Sequence, residues 1–181
     1  AEGPGAAEVS RGETGVLWVR GESVALGYYQ DREKSWDVFH GAWCKTGDLF
    51  RMDDDGYLWF CGRADDLLKV NGQWVAPLEV EQCLMAHPDV ALAAVVGVEE
   101  HGLVKPRAFV VVQPSARSRV SSAANRVRFR LELQAHVRQR LSKHKYPRSI
   151  VFIDDLPKND RGKVDRRALR VVRDPEEDNL S

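Results

Sequence analysis

Hydrophobic residues fall into two regions of different pattern, which meet at about residue 62. Before this point, short apolar runs at residues 16–19 and 57–61 are separated by glycines and acidic turn residues. These runs predict a β-rich piece with too little apolar helix or sheet to close a core of its own. After this point, a nearly continuous apolar run at residues 90–98 predicts a central strand that is buried on both faces.

The second region reads as a regular succession of strands and helices. Asn71-Gly72 between two short apolar runs is a strong hairpin signal, and Pro77 begins a helix in which Val80 and Leu84 recur at helical spacing. The order hairpin, helix, strand, strand, helix, strand, helix predicts an α+β domain with a mixed sheet and helices on one face, close to a βαββαβ arrangement. The last five of these elements are predicted at residues 90–98, 108–112, 128–143, 150–153 and 165–172.

Residues 126–144 fit two periods, because apolar residues alternate as in a strand and also recur on one helical face. We predict a helix at 128–143, since strands of this length are uncommon, and a polar loop before it at residues 113–125.

The first region predicts a short helix at residues 31–39 with Asp31 as its N-cap. It also predicts two strands, residues 42–45 and 49–52, that flank a tight Thr-Gly-Asp turn. The acidic run 53–56 fits a hairpin turn better than a calcium loop, because Arg51 breaks the alternate spacing of acids.

Composition excludes several classes of function. Lys plus Arg total 27 and Asp plus Glu total 27, so a net charge of zero removes the global electrostatic argument for nucleic acid or membrane binding. Three widely spaced cysteines favour a reducing compartment over a disulfide framework, and no run of eighteen apolar residues is present. We therefore expect a cytoplasmic protein. Because the chain opens without Met, we also expect that it is a piece of a longer one.

Three residues have side chains that could bind a ligand or take part in a reaction, judged from their own chemistry and position in the sequence. The carboxylate of Asp48, at the end of the Thr-Gly-Asp turn, can accept hydrogen bonds from both hydroxyls of a ribose. The guanidinium of Arg63 can form a planar fork onto ribose or phosphate oxygens, or can pair with Asp65 or Asp66 as a surface residue. Lys163 follows a glycine as in a P-loop, but the upstream glycine spacing is wrong, which leaves a solvated turn as the alternative.

The chain contains four sequence motifs, which are Thr46-Gly47-Asp48, Gly62-Arg63-Ala64-Asp65, residues 72–81 and residues 157–166. Together they resemble motifs of the adenylate-forming enzymes, which include acyl- and aryl-CoA ligases, peptide-synthetase adenylation domains and luciferases. The resemblance extends from about residue 12 to residue 170, and the Trp-Val-Ala-Pro-Leu-Glu-Val-Glu ending is most similar to benzoate–CoA ligases. Two positions depart slightly from the family pattern. Relatives commonly have Ser or Gly where Asn71 stands, and Thr where Asn159 stands.

The resemblance implies roles for individual residues. Lys163 would be catalytic, because its ammonium would neutralise charge on the α-phosphate and the carboxylate during acyl-adenylate formation. Asp48 and Arg63 would bind the nucleotide, and Asp65 would be the hinge about which the C-terminal domain rotates, a role that fits an acid with no required partner. No residue is expected to bind a metal. The expected coenzyme A site comprises Asn71, Gly72 and, less firmly, Lys69, whereas the basic cluster Lys143, His144, Lys145 and Arg148 meets either the phosphates of CoA or only solvent.

The function implied is that of an ATP-dependent ligase. A carboxylic acid, aromatic and benzoate-like by the motif ending, would react with ATP·Mg²⁺ to give an acyl-adenylate, from which CoA would displace AMP. Residues 1–62 would be the end of the large AMP-binding domain, whose missing part holds most of the ATP and Mg²⁺ site, and residues 63–181 the small mobile domain. This chain alone would then be inactive. An adenylation domain that loads a carrier protein, and a non-catalytic module, are the alternatives, although residues 174–181 look like a plain acidic tail rather than a link to a carrier.

Overall fold

The computed structural model describes residues 7–100 and 102–172, so the acidic tail at 174–181 lies outside the described residues. The chain divides into two compact units, Ala1–Asp66 and Leu67–Ser181. The division falls between Asp66 and Leu67, whereas the hydrophobic pattern placed the domain boundary after residue 62. Gly62 and Arg63 belong to the last strand of the first unit, and residues 64–66 form one turn of 3₁₀ helix.

The first unit is built around one long strand, β3 (Trp43–Met52), which pairs antiparallel with each of the other three strands. Its short helix begins as predicted, because a carboxylate oxygen of Asp31 accepts a hydrogen bond from the backbone N–H of Lys34 at 3.1 Å. Leu49 supplies the one buried apolar side chain among the described residues of this unit, which matches the prediction of an incomplete core. The elements are β1 (Thr14–Arg20), α1 (Arg32–Val38), β2 (Phe39–His40), β3 (Trp43–Met52) and β4 (Leu58–Arg63).

The prediction of a tight turn between two strands at Thr46-Gly47-Asp48 is wrong, because β3 runs through these residues as one strand. The pairing with β1 shifts between Val16 and Trp18, so residues 46–48 bulge opposite a single residue, Leu17. The hydroxyl of Thr46 donates to the carbonyl of Leu17 at 2.8 Å and accepts from the backbone N–H of Asp48 at 3.1 Å. Glycine and a hydroxyl residue therefore form a bulge here.

The second unit contains a mixed sheet and a separate hairpin, and it confirms the predicted α+β fold class. Within the sheet, β7 (Val90–Glu100) and β8 (Leu103–Val112) are antiparallel, whereas β8 and β9 (Ser149–Phe152) are parallel. The central strand is β8 and not the predicted run at residues 90–98, which forms β7 and pairs only with β8 among the described residues. The residues of β7 form a nearly continuous apolar run because both faces of this strand are covered by other elements. The elements are β5 (Leu68–Val70), β6 (Gln73–Val75), α2 (Pro77–Met85), β7 (Val90–Glu100), β8 (Leu103–Val112), α3 (Ala123–Arg140), β9 (Ser149–Phe152) and α4 (Arg166–Val171).

Two hydrophobic cores lie on the two faces of this sheet. On one face, α2, α3 and the β5–β6 hairpin pack together, as the predicted arrangement of helices requires. On the other face, Leu169 of α4 packs against Ala94, Val96 and Phe109, together with Leu156 from the loop after β9. Side chains alternate along β7, so covering only one face would leave half of its apolar residues in water. The closing helix was predicted at residues 165–172, but the one-sided arrangement did not place it on this second face.

The ambiguous segment at 126–144 is largely helical, as predicted, but the helix starts and ends earlier than residues 128–143, at Ala123–Arg140. Ser122 caps α3 by accepting the backbone N–H of Asn125 at 3.2 Å. The predicted loop at 113–125 is therefore wrong in part, because Pro114–Val120 is a 3₁₀ helix and α3 begins at Ala123. No helix in the described part of the chain is long and apolar enough to cross a membrane.

Candidate functional site

Asp48 and Arg63 form an ion pair across two neighbouring strands of the first unit. They are register partners on β3 and β4, and Nη1 of Arg63 donates to Oδ1 of Asp48 at 2.8 Å. The same nitrogen donates to the backbone carbonyl of Thr46 at 3.1 Å. Both side chains remain partly exposed, at 33% for Asp48 and 43% for Arg63, so carboxylate and guanidinium face solvent together.

Gly47 makes room for this pair. Its φ of +74° is a left-handed conformation that glycine adopts without strain, and a Cβ added there would lie 2.9 Å from Nη2 of Arg63. Any side chain at position 47 would therefore push the guanidinium away from its present place. The glycine of the Thr-Gly-Asp motif is needed for the bulge and for the packing of arginine over it.

Asp65 joins the same cluster. Nη2 of Arg63 donates to Oδ2 of Asp65 at 3.0 Å, a contact that the sequence analysis did not predict. The pKa of Arg63 is raised, first by its hydrogen bond to Asp65 and then by that to Asp48. Asp65 is 71% exposed, so this surface pair contributes little to stability and can break at low cost.

The predicted hairpin of the second unit is confirmed. Asn71 and Gly72 have φ values of 49° and 81°, as the tight turn between two hairpin strands requires. A Cβ added to Gly72 would have no heavy atom within 4 Å, so the backbone of this turn is open to a ligand. Lys69 and Trp74 are register partners, with the Lys69 ammonium 5.7 Å from the centre of the indole ring.

A small concavity of about 80 Å³ lies beside this turn. We call it the basic concavity, because Lys105, Lys143, His144 and Arg148 line it together with Asn71. The structure thus brings part of the predicted basic cluster to the predicted coenzyme A hairpin. Lys145 is not a lining residue and instead donates to both carboxylate oxygens of Glu79, at 2.8 and 2.7 Å.

Lys105 was not found from the sequence, because it lies on β8 and nothing nearby in the chain links it to Asn71. Its ammonium donates to Glu100 at 2.8 Å, and this bond is the main cause of the lowered pKa of that carboxyl group.

Lys163 lies in a small closed loop after β9. The backbone N–H of Asn159 donates to the carbonyl of Lys163 at 2.8 Å, and the side-chain carbonyl of Asn159 accepts the N–H of Arg161 and of Lys163 at 3.0 and 3.1 Å. Gly162 turns the chain with a φ of +72°. Asn159 organises the loop through its side chain, as Asx turns do. The side chain of Lys163 is exposed.

The Lys163 loop and the Asn71-Gly72 hairpin belong to opposite faces of the second unit. Leu68, Val70 and Val75 of the hairpin pack in the core that contains α2 and α3. Leu156 and Val164, which flank the Lys163 loop, pack in the core that contains α4. The two candidate regions are thus separated by the sheet.

Two further charged residues escaped the sequence analysis. Glu81 is buried and paired with Arg166, 85 positions away in the chain, and no local pattern links the two.

Within residues 7–100 and 102–172, no group of three or more His, Cys, Asp or Glu side chains could hold a metal ion.

Comparison with known proteins gives a consistent assignment. Residues 79–163 match the AMP-binding enzyme C-terminal domain. The chain is 43% identical over 167 residues to the benzoate–CoA ligase of Thauera aromatica, an alignment that covers 92% of this chain and 30% of that enzyme.

Solved structures agree. A benzoate–CoA ligase from Burkholderia xenovorans LB400 is 44% identical, with a TM-score of 0.79 over 91% of this chain and 31% of the other. An anthranilate–CoA ligase in complex with anthranoyl-AMP is 41% identical, with a TM-score of 0.77 over 90% of this chain and 30% of the other.

The chain therefore spans about a third of the length of the proteins that it matches. Its similarity to them includes the Asp48–Arg63 region, the hairpin and the Lys163 loop. The chain carries the AMP-binding enzyme C-terminal domain at residues 79–163 and, over most of its length, is similar to benzoate–CoA ligases.

Proposed function

We propose that this chain is the C-terminal part of an ATP-dependent ligase that joins a carboxylic acid to coenzyme A. In the first step, a carboxylate oxygen of the acid attacks the α-phosphorus of ATP, and pyrophosphate leaves. In the second step, the thiol sulfur of CoA attacks the carbonyl carbon of the acyl-adenylate, AMP leaves, and the thiol proton is lost. The complete protein is this chain together with the remainder of the large domain present in its relatives.

One observation carries the proposal, namely the placement of the Lys163 loop and the Asn71-Gly72 hairpin on opposite faces of the second unit. A small domain with one functional loop on each face can present only one of them to a fixed active site at a time. Rotation of this domain between the two steps would let each loop serve one step, and Asp65, which directly precedes the end of the first unit in the chain, would be the hinge.

Lys163 would act in the first step. An exposed ammonium on a loop held by its own backbone hydrogen bonds can enter an active site without disturbing a core. There it would offset the negative charge that develops between the acid and the α-phosphate. The loop geometry supports this role because it fixes the backbone and leaves the side chain free to extend.

Asp48 and Arg63 would hold the nucleotide. The second carboxylate oxygen of Asp48 has no hydrogen-bond partner in the described part of the chain and could accept a ribose hydroxyl, while the first holds Arg63 in place. The guanidinium, already oriented by two carboxylates, would meet ribose or phosphate oxygens without further ordering.

Coenzyme A would bind along the hairpin and into the basic concavity. Gly72, with open space where a side chain would be, would let the pantetheine arm pass, and Lys69 would border its path. Lys143, His144 and Arg148 would then meet the phosphates at the nucleotide end of CoA. From the sequence alone, contact with these phosphates and contact with solvent only were both open.

Substrate class and cofactors follow from the named relatives and not from this chain. Those relatives are benzoate–CoA and anthranilate–CoA ligases, so we propose an aromatic acid. The expected Mg²⁺ has no fitting ligand set among the described residues, and we assign it to the rest of the large domain. A cytoplasmic location remains part of the proposal, in keeping with three cysteines that are all free.

Exposed aromatic side chains support the proposal that the first unit is part of a larger domain in the complete protein. Tyr57, Trp59 and Phe60 on or beside β4 are 69%, 56% and 49% exposed. A cluster of large apolar groups in water is unusual for a finished surface and is typical of one that is covered in the complete protein.

The test measures the first half-reaction with the complete protein. Exchange of pyrophosphate into ATP should depend on benzoate or a related aromatic acid and should be at least about tenfold slower with an aliphatic acid of similar size. The 181-residue chain alone should show no exchange. Exchange by the complete protein with no acid at all, or turnover by this chain alone, would contradict the proposal.

A further inference from the structure

Glu81 and Arg166 form a two-pronged ion pair in which the carboxylate is buried and the guanidinium is partly exposed, with side-chain exposures of 7% and 26%. Nη1 of Arg166 donates to Oε1 of Glu81 at 2.6 Å and Nη2 donates to Oε2 at 3.2 Å. Glu81 lies on α2 and is only 5% exposed, whereas Arg166 is the first residue of α4. The pair therefore connects two helices that cover opposite faces of the sheet.

The same two side chains bind the backbone of β7 at one residue. The N–H of Val95 donates to Oε1 of Glu81 at 2.7 Å, and the carbonyl of Val95 accepts from Nη1 of Arg166 at 2.8 Å. Since β7 pairs only with β8 among the described residues, these groups lie on its other edge. We call Glu81, Val95 and Arg166 the edge clasp.

The clasp lies three residues from Lys163 along the chain. Between them, Asp165 caps α4 by accepting the N–H groups of Arg167 and Ala168 at 3.0 and 3.1 Å. The N–H of Asp165 also donates to the carbonyl of Pro157 at 2.7 Å, which ties the end of the loop to its start. Val164 anchors the loop by apolar packing, and Arg166 adds a hydrogen-bonded anchor from the end of the loop to the sheet.

We propose that Glu81 and Arg166 are positioning residues for Lys163, a role that rests on the function proposed above. A bidentate guanidinium–carboxylate pair fixes distance and orientation together, which a single contact does not. The charge of the buried carboxylate is stabilised only while Arg166 and the N–H of Val95 are in place, so the pair favours one arrangement of the loop base over others. An apolar pair of equal volume would be as stable but would not fix that arrangement.

The first experiment uses the chain as it stands and does not depend on ligase activity. Trypsin cleaves after Arg161 and Lys163, both of which lie in the loop. The variant Arg166→Met should be cut at these sites about fivefold or more faster than wild type, because the loop base opens more often. Arg167→Met, at an exposed neighbouring position, is the matched control and should be cut at the wild-type rate. Equal rates in the two variants would overturn the proposal.

The second experiment uses the complete protein and separates positioning from general stability. Arg166→Met should lower kcat of adenylation about 10- to 100-fold, since small displacements of a catalytic group are costly, with the KM for ATP nearly unchanged. Thioester formation from supplied acyl-adenylate should remain within about threefold of wild type, and Arg166→Lys should restore part of the loss. Equal losses in both half-reactions would mean a purely structural role.

Combining substitutions distinguishes this inference from the proposed function. In a Lys163→Ala background, Arg166→Met should lower adenylation no further, because it acts only through the ammonium that is already gone. A further loss of the full size would overturn the positioning role. If Lys163→Ala alone leaves adenylation intact, the proposed function fails, while the trypsin experiment still decides whether the clasp holds the loop.

Discussion

Asp48 and Arg63 face each other across β3 and β4 at 2.8 Å, and the guanidinium lies over Gly47 so closely that a methyl group there would touch it at 2.9 Å. Two motifs that are separated by fifteen positions in the sequence therefore make one surface. The bulge at Gly47 is what lets a strand carry an acid and an arginine side by side.

Gly47→Ala should separate stability from nucleotide binding. The backbone has φ +74°, so alanine costs about 1 kcal/mol in the free energy of unfolding. The atom that it meets is the end of a flexible side chain, so Arg63 moves at little further cost but loses its place. We expect the KM for ATP of the complete protein to rise about tenfold or more.

Gly41→Ala is the matched control. Gly41 has φ +63° and open space around its missing side chain, so it carries the same strain without the collision. Urea unfolding should show similar losses for both variants, and ATP kinetics should change only for Gly47→Ala. Equal effects on ATP kinetics would mean that the close approach of Arg63 has no role in binding.

Arg148→Ala should weaken the complete protein toward CoA without slowing adenylation. Removal of one cation from the basic concavity should raise the KM for CoA about five- to tenfold, as expected for a charge-assisted contact to phosphate. With pantetheine, which lacks the nucleotide, the variant and wild type should be equal. Arg128→Ala, on the exposed side of α3, is the control. A matching loss with pantetheine would place Arg148 away from the phosphates.

Acid should destabilise the chain through His136. Burial is the main cause of its lowered pKa, although its Nε2 donates to the carbonyl of Cys83 at 3.0 Å. Because the unfolded chain binds the proton more tightly, stability is lost as pH falls through the ordinary histidine pKa of about 6.5. The charged groups that act on it are Arg140, His87 and Glu132.

His136→Gln tests this, since glutamine keeps a donor for Cys83 but does not titrate. Urea unfolding at about pH 7.5 and about pH 5.5 should show a smaller loss for the variant than for wild type. Identical losses would assign the acid sensitivity to other groups.

Much of the fold was predictable because it depends on local signals. Asn71-Gly72 needs only its own backbone preferences to make a turn, and Asp31 needs only the next three residues to cap α1. Residues 126–144 fitted both a strand and a helix in their apolar period, and the length of the segment alone decided for the helix. Such features follow from propensity and period, which a single sequence carries.

What could not be predicted depends on distant residues. β8 rather than β7 is central because β9 returns to pair with it, and no local pattern records that choice. Lys105 joins the basic concavity, and Arg166 reaches Glu81, through tertiary contacts without a sequence signature. The Thr-Gly-Asp segment was misjudged because a glycine in a bulge and a glycine in a turn look alike in sequence.

The most direct measurement compares Gly72→Ala with Gly162→Ala in the two half-reactions of the complete protein. Both glycines have positive φ and open space for a Cβ, so the strain is matched, but one lies in the hairpin and the other beside Lys163. Gly72→Ala should slow thioester formation and spare adenylation, and Gly162→Ala should do the reverse, each by about tenfold. If both variants slow the same half-reaction, the assignment of one step to each face of the second unit is wrong.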